Sequence, residues 1–132
     1  PGGQLPPDGY GVHAEPVASR LSESGLPATA FRGVDLAWLR ERLAAGRPAI
    51  VWATGALDAP PPVRLSDRSG RAFVAVPGEH TFLVVGYERG RVILVDSATG
   101  RTRTVADARF DASWATLGRQ AVVPDHPPPS SR

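Results

Sequence analysis

The sequence predicts an α+β domain: an antiparallel, strongly twisted sheet or half-barrel, preceded by two helices and followed by one short helix near the C-terminal end. Three observations carry that expectation. Apolar residues recur at helical spacing in two early stretches and one late one, while the middle of the chain is a succession of short β-branched and aromatic runs separated by Gly, Pro, Asp and Ser. The third is size: 132 residues with 42% hydrophobic content suffice for one core.

Residues 1–9 are rich in Pro and Gly without periodicity and read as a flexible arm, with the folded domain expected over 10–123. Val12 to Ser24 places Val12, Ala14, Val17, Ala18 and Leu21 near helical period, with Pro16 in the first turn and Gly25 as the stop. Pro27 to Arg32 is a short strand. Asp35 then caps a second helix on which Leu36, Leu39 and Leu43 share a face, and Gly46 and Pro48 end it. Trp38 widens that apolar stripe or lines a groove. Ala49-Ile50-Val51-Trp52-Ala53 has the length and composition of a buried central strand.

Thr54 to Pro62 is a loop stiffened by three consecutive prolines; its simplest role is a surface connection, although proline-binding modules take such segments. Val63 to Leu65 and Arg71 to Val76 form a hairpin around Ser66-Asp67-Arg68-Ser69-Gly70. A strand over Arg101 to Val105 follows the Thr99-Gly100 turn. Asp107 is expected to cap the third helix, with Phe110, Trp114 and Leu117 on one face and Gly118 as its stop. Gln120 to Val123 is a last strand, and residues 124–132, with Pro127-Pro128-Pro129, read as a disordered tail.

The centre of the chain is a second hairpin, from Glu79 to Asp96. A three-residue connection, Glu88-Arg89-Gly90, would set Tyr87 opposite Arg91 and hence Phe82 opposite Asp96. His80, Phe82 and Asp96 then share one face, with His80 on the diagonal from Asp96, about 7–8 Å away at Cα. An imidazole beside a carboxylate is the orienting half of a nucleophilic triad, because the carboxylate fixes the ring's tautomer and plane. Histidine at a strand start and aspartate before a Ser-Ala-Thr-Gly turn also occur for turn and surface reasons alone.

Other chemistries find little support. All fifteen basic residues are arginine, scattered along the chain, and the net charge is +2, so no basic run with interleaved aromatics would track a nucleic acid. No apolar run approaches the ~20 residues that span a bilayer. Zero cysteines exclude disulfides, thiolate metal sites and a cysteine nucleophile within these 132 residues. His13, His80 and His126 are far apart, and His13 reads as a capping or surface residue, so no metal and no cofactor is expected. Ser97 lacks the Gly-x-Ser-x-Gly context of a nucleophile elbow.

The run Glu79-His80-Thr81-Phe82-Leu83-Val84-Val85-Gly86-Tyr87, followed by Val92-Ile93-Leu94-Val95-Asp96, resembles the His and Asp blocks of the papain-like cysteine peptidases of family thirty-nine. These are the bacteriocin-processing, double-glycine peptidases and their secreted bacterial relatives. The likeness extends through Gly9 to Ala18, Leu43 to Trp52 and Phe110 to Val123, and covers about residues 9 to 123. It implies that His80 is the general base and Asp96 its orienting residue, with a peptide or protein as substrate and a secreted or cell-surface setting. It also implies an N-terminal segment, upstream of the match to Gly9, bearing the nucleophilic cysteine and an oxyanion-hole glutamine, and these 132 residues hold no cysteine. The chain thus looks like the C-terminal lobe of such a peptidase, inactive alone, or like a peptidase-like module that binds a peptide or transporter substrate. An apolar face bared by the missing segment would favour a homodimer.

Overall fold

The computed structural model describes residues 3–4 and 11–129, and the rest of the expected arm and tail lies outside them. Its element order is β1 (Gly3–Gln4), β2 (Gly11–Val12), α1 (Ala14–Glu23), β3 (Ala28–Phe31), α2 (Leu36–Ala44), β4 (Ala49–Thr54), β5 (Val63–Ser66), β6 (Ala72–Ala75), β7 (Glu79–Glu88), β8 (Arg91–Asp96), β9 (Thr102–Ala106), α3 (Asp107–Thr116) and β10 (Ala121–Pro124). Six strands form one antiparallel sheet in the order β3-β10-β4-β7-β8-β9, and β1-β2 and β5-β6 are separate two-stranded ribbons. The fold is α+β.

Alternation along the central strands divides the core between the two faces of the sheet. Ala49, Val51 and Ala53 of β4 and Phe82 and Val84 of β7 point one way, against Leu39 of α2 and Phe110 and Trp114 of α3. Ile50, Trp52 and Val122 point the other way, against Ala14, Val17 and Ala18 of α1. The sheet is therefore covered on both faces. Trp52, Trp114, Phe82 and Phe110 are the largest fully buried side chains, and burying each is worth ~2–3 kcal/mol of transfer free energy.

The helix ends obey local chemistry, with three departures from expectation. Asp35 caps α2 by accepting from the Trp38 N–H at 2.8 Å, and Gly25, Gly46 and Gly118 each follow a helix at positive φ. Asp107, expected to cap α3, is instead its first residue, with Ala106 at the N-cap position. Its carboxylate is taken by Arg40 of α2, which it meets in an ion pair. Leu117 does not continue the Phe110/Trp114 face: it is the C-cap of α3 and packs on the α1 side. His13 is the N-cap residue of α1 but makes no capping bond. Gln120, 106 residues away, does that work: its Oε1 accepts from the Ala14 N–H at 3.1 Å.

β10 runs one residue past Val123, and Asp125 is still tied to the body, donating its N–H to Pro27 O and accepting from Thr29 Oγ1. All four residues of β5 are exposed, and its ribbon with β6 belongs to the excursion between the paired ends of β4 and β7.

Candidate active site

β4 and β7 pair with Ala53 opposite His80 and Thr54 opposite Glu79, so His80 enters the sheet at the edge of the buried face. Across the next ladder Phe82 faces Asp96, Leu83 faces Val95 and Val84 faces Leu94. The route to that register differs from the expected one. Glu88, not Tyr87, lies opposite Arg91, so the connection is Arg89-Gly90, with Gly90 at φ +71°. Gly86 then pairs with Ile93, and the ladder slips by one residue between Val84 and Gly86, leaving Val85 as a β-bulge. A two-residue turn with an unbroken ladder would place Asp96 opposite Leu83, on the wrong side of the sheet. One extra residue at Val85 restores the parity.

The result is direct contact. His80 Nε2 lies 2.8 Å from Asp96 Oδ1, and the two side chains are 25% and 15% exposed, neither sealed nor free in solvent. Asp96 Oδ1 also accepts from the Ala98 N–H at 2.8 Å, an Asx-turn bond that fixes the carboxylate at the mouth of the β8–β9 turn. The His80 hydrogen bond, and then the Ala98 N–H, hold the Asp96 carboxyl below its ordinary range. The turn and pairing readings of Asp96 are thus compatible, since the turn that suits an aspartate also aims it.

Three further groups shape the site. Phe82 meets the imidazole edge-on, with ring centroids 5.1 Å apart at 85°. Arg103 of β9 lies over the Phe82 ring at 5.8 Å and donates to Gly55 O at 2.8 Å. Glu79, on the other side of the strand from His80, has its carboxyl pushed up to about 7 by desolvation. On that opposite face a cavity of about 490 Å³ opens among Val17, Ile50, Trp52, Thr81 and Leu83. Ser97 also lines it, and its hydroxyl bonds the Thr81 hydroxyl and carbonyl, both at 2.7 Å.

The remaining sequence candidates lie elsewhere. His13 is half-buried at the start of α1, and among the described residues no group of three or more His, Cys, Asp or Glu side chains could hold a metal. Trp38 packs against the core while stacking on Phe31 at 4.8 Å and under Arg42 at 4.7 Å. Arg103 and the Val85 bulge were missed in the sequence. Arg103 left a signal, since it shares a strand face with buried Val105 and so is an arginine at an inward position. The bulge left none beyond a glycine next to it.

His80 and Asp96 thus lie side by side at the head of two neighbouring antiparallel strands of an α+β domain. The chain belongs to the Peptidase C39 like family, whose pattern it matches over residues 4–122. Its fold is similar to the crystal structure of a Bacillus anthracis protein described as a C39-like peptidase, with a TM-score of 0.74 and 19% identity. That similarity covers 94% of this chain and 62% of the other, so the chain spans less than two thirds of the length of that relative. No curated protein matches it. No helix among the described residues is long and apolar enough to cross a membrane.

Proposed function

We propose that residues 10–123 are the sheet lobe of a papain-like cysteine peptidase, supplying the base and its orienting carboxylate to a thiol carried outside these 132 residues. The single observation behind this reading is the 2.8 Å contact between His80 Nε2 and Asp96 Oδ1 in a partly open setting. With Nε2 committed to Asp96, Nδ1 is the nitrogen that takes the cysteine proton. The thiolate attacks the peptide carbonyl carbon, and the imidazolium returns the proton to the departing amine nitrogen. The thioester is then hydrolysed by water that His80 deprotonates. Asp96 stays ionised throughout, in keeping with its lowered pKa. An oxyanion hole from the cysteine's own N–H and a neighbouring glutamine completes the site.

The chain alone is inactive on this reading. The test is peptide cleavage by the chain, by a cysteine-bearing segment from the same coding sequence, and by the two together. Activity is expected only in the mixture, with His80→Ala abolishing it. Cleavage by the chain alone, or a mixture no more active than the segment, would overturn the assignment.

The alternative reading is a non-catalytic module that grips a peptide or transporter substrate, and the apolar cavity of about 490 Å³ behind β7 is the observation in its favour. Binding of a peptide by the chain alone, with no cleavage by any mixture, is its signature. Under either reading the apolar cavity beside α1 and the exposed Val63, Leu65 and Val74 support covering by the cysteine-bearing segment or self-association as a homodimer.

A further inference from the structure

An imidazole ring has a broad, roughly two-fold torsion about its last bond, and a half-turn exchanges Nδ1 with Cδ2 and Nε2 with Cε1. The bond to Asp96 needs Nε2 and its proton on the carboxylate, because a flipped ring would turn Cε1 toward Oδ1. Packing must hold the ring in that plane. On one side is the Phe82 ring, edge-on at 5.1 Å. At the base of the side chain is Gly55, where an added Cβ would rest 3.9 Å from His80 Cβ.

Arg103 touches both of these boundaries. From its position opposite Leu94 on β9 it spans β8, lies over the Phe82 ring at 5.8 Å and reaches Gly55 O at 2.8 Å. The segment it reaches is otherwise well fixed. Gly55 N–H donates to Gly78 O at 2.9 Å, while Arg109 holds the carbonyls of Ala56 and Leu57 at 2.7 and 3.0 Å. Leu57 is fully buried at φ +53°, a conformation that persists only where the surroundings impose it.

We propose that Arg103 is a positioning residue for His80. By tying Gly55 across the Phe82 ring, it holds the imidazole plane so that Nε2 stays on Asp96 and Nδ1 faces outward to a nucleophile. This rests on the reading of His80 as the base. Removing the guanidinium leaves Gly55 O without its donor and frees the Phe82 ring to rock, and both changes reach the imidazole.

The test is the tautomer of His80 in the intact chain, read by long-range ¹H–¹⁵N correlation of ¹⁵N-labelled histidine at a pH where the ring is neutral. Wild type is expected to show His80 almost wholly as the Nε2–H form. Arg103→Leu is expected to lower the ratio of Nε2–H to Nδ1–H roughly tenfold, the size of one lost positioning contact. Arg119→Leu, which breaks the ion pair to Asp111 on α3, is expected to lower stability and leave the ratio unchanged. If Arg103→Leu does not fold, Arg103→Gln carries the test and is expected to lower the ratio severalfold. A wild-type ratio with Arg103→Leu, or with Arg103→Gln in its place, overturns the proposal and leaves His80 as base standing. A mixed or Nδ1–H His80 in the wild-type chain overturns the reading of the base itself.

Discussion

The two ends of the β7–β8 hairpin are built on different terms. At the turn end Tyr87 and Glu88 are exposed and the register is set by a two-residue connection, with buried Val92 facing Tyr87. At the other end Phe82 and Val84 are fully buried, and His80 and Asp96 meet above them. Between the two, Val85 absorbs the mismatch. A hairpin's turn therefore does not dictate what faces what at its far end: burial of Phe82 and Val84 fixes the register there, and the surplus residue is expelled at an exposed position.

The largest expected effect breaks the buried end. Phe82→Ala removes a core ring and the edge against His80, and should lower unfolding free energy by about 3–5 kcal/mol in chemical denaturation. Tyr87→Ala at the turn end, where the ring is 45% exposed and meets Arg40 at 5.7 Å, should stay within about 1 kcal/mol. Equal losses at the two positions would erase the distinction.

The second effect is a slope with pH. Glu79 titrates near 7 in the fold against an ordinary value of 4.5, so the native state binds more protons between those values and stability falls as pH rises through that window. Glu79→Gln should flatten this limb and gain about 1 kcal/mol at pH 8, a figure discounted for the solvent that reaches the group. Asp96 has the opposite sign. Its lowered pKa contributes stability that is present above about pH 4 and lost as pH falls through its folded value, so Asp96→Asn should steepen nothing and flatten the acid limb. Parallel acid limbs for wild type and Asp96→Asn would show that the pairing with His80 is not maintained in solution.

The smallest effect is the most pointed. Deleting Val85 leaves Gly86 opposite Ile93 and Val84 opposite Leu94 in an unbroken ladder, so the His80–Asp96 contact should survive with stability changed by roughly 0.5 kcal/mol. Loss of the pair in that variant would show that the bulge does more than restore parity.

Much of the fold was legible because short-range chemistry and long-range packing agree. Asp35, Gly25, Gly46 and the Leu36/Leu39/Leu43 stripe mark helix ends and faces that the core then uses. Failures came where a distant residue outbid a local one. Asp107 lost its capping role to Arg40, and the cap of α1 comes from Gln120, which no local pattern around His13 could announce. At the site, the facing of Phe82 and Asp96 was legible, but by a path with two compensating departures: a shorter turn and a bulge. The bond from Arg103 to Gly55 beside Phe82 was invisible because the two residues belong to β9 and to the loop after β4.

The account depends on Asp96 and His80 sharing a face of the sheet. Cross-strand nuclear Overhauser effects between β7 and β8 in the wild-type chain measure that directly. The account predicts pairs of Phe82 with Asp96 and Gly86 with Ile93, with the register slipping at Val85. Contacts that pair Leu83 with Asp96 would put the carboxylate on the opposite face and contradict it.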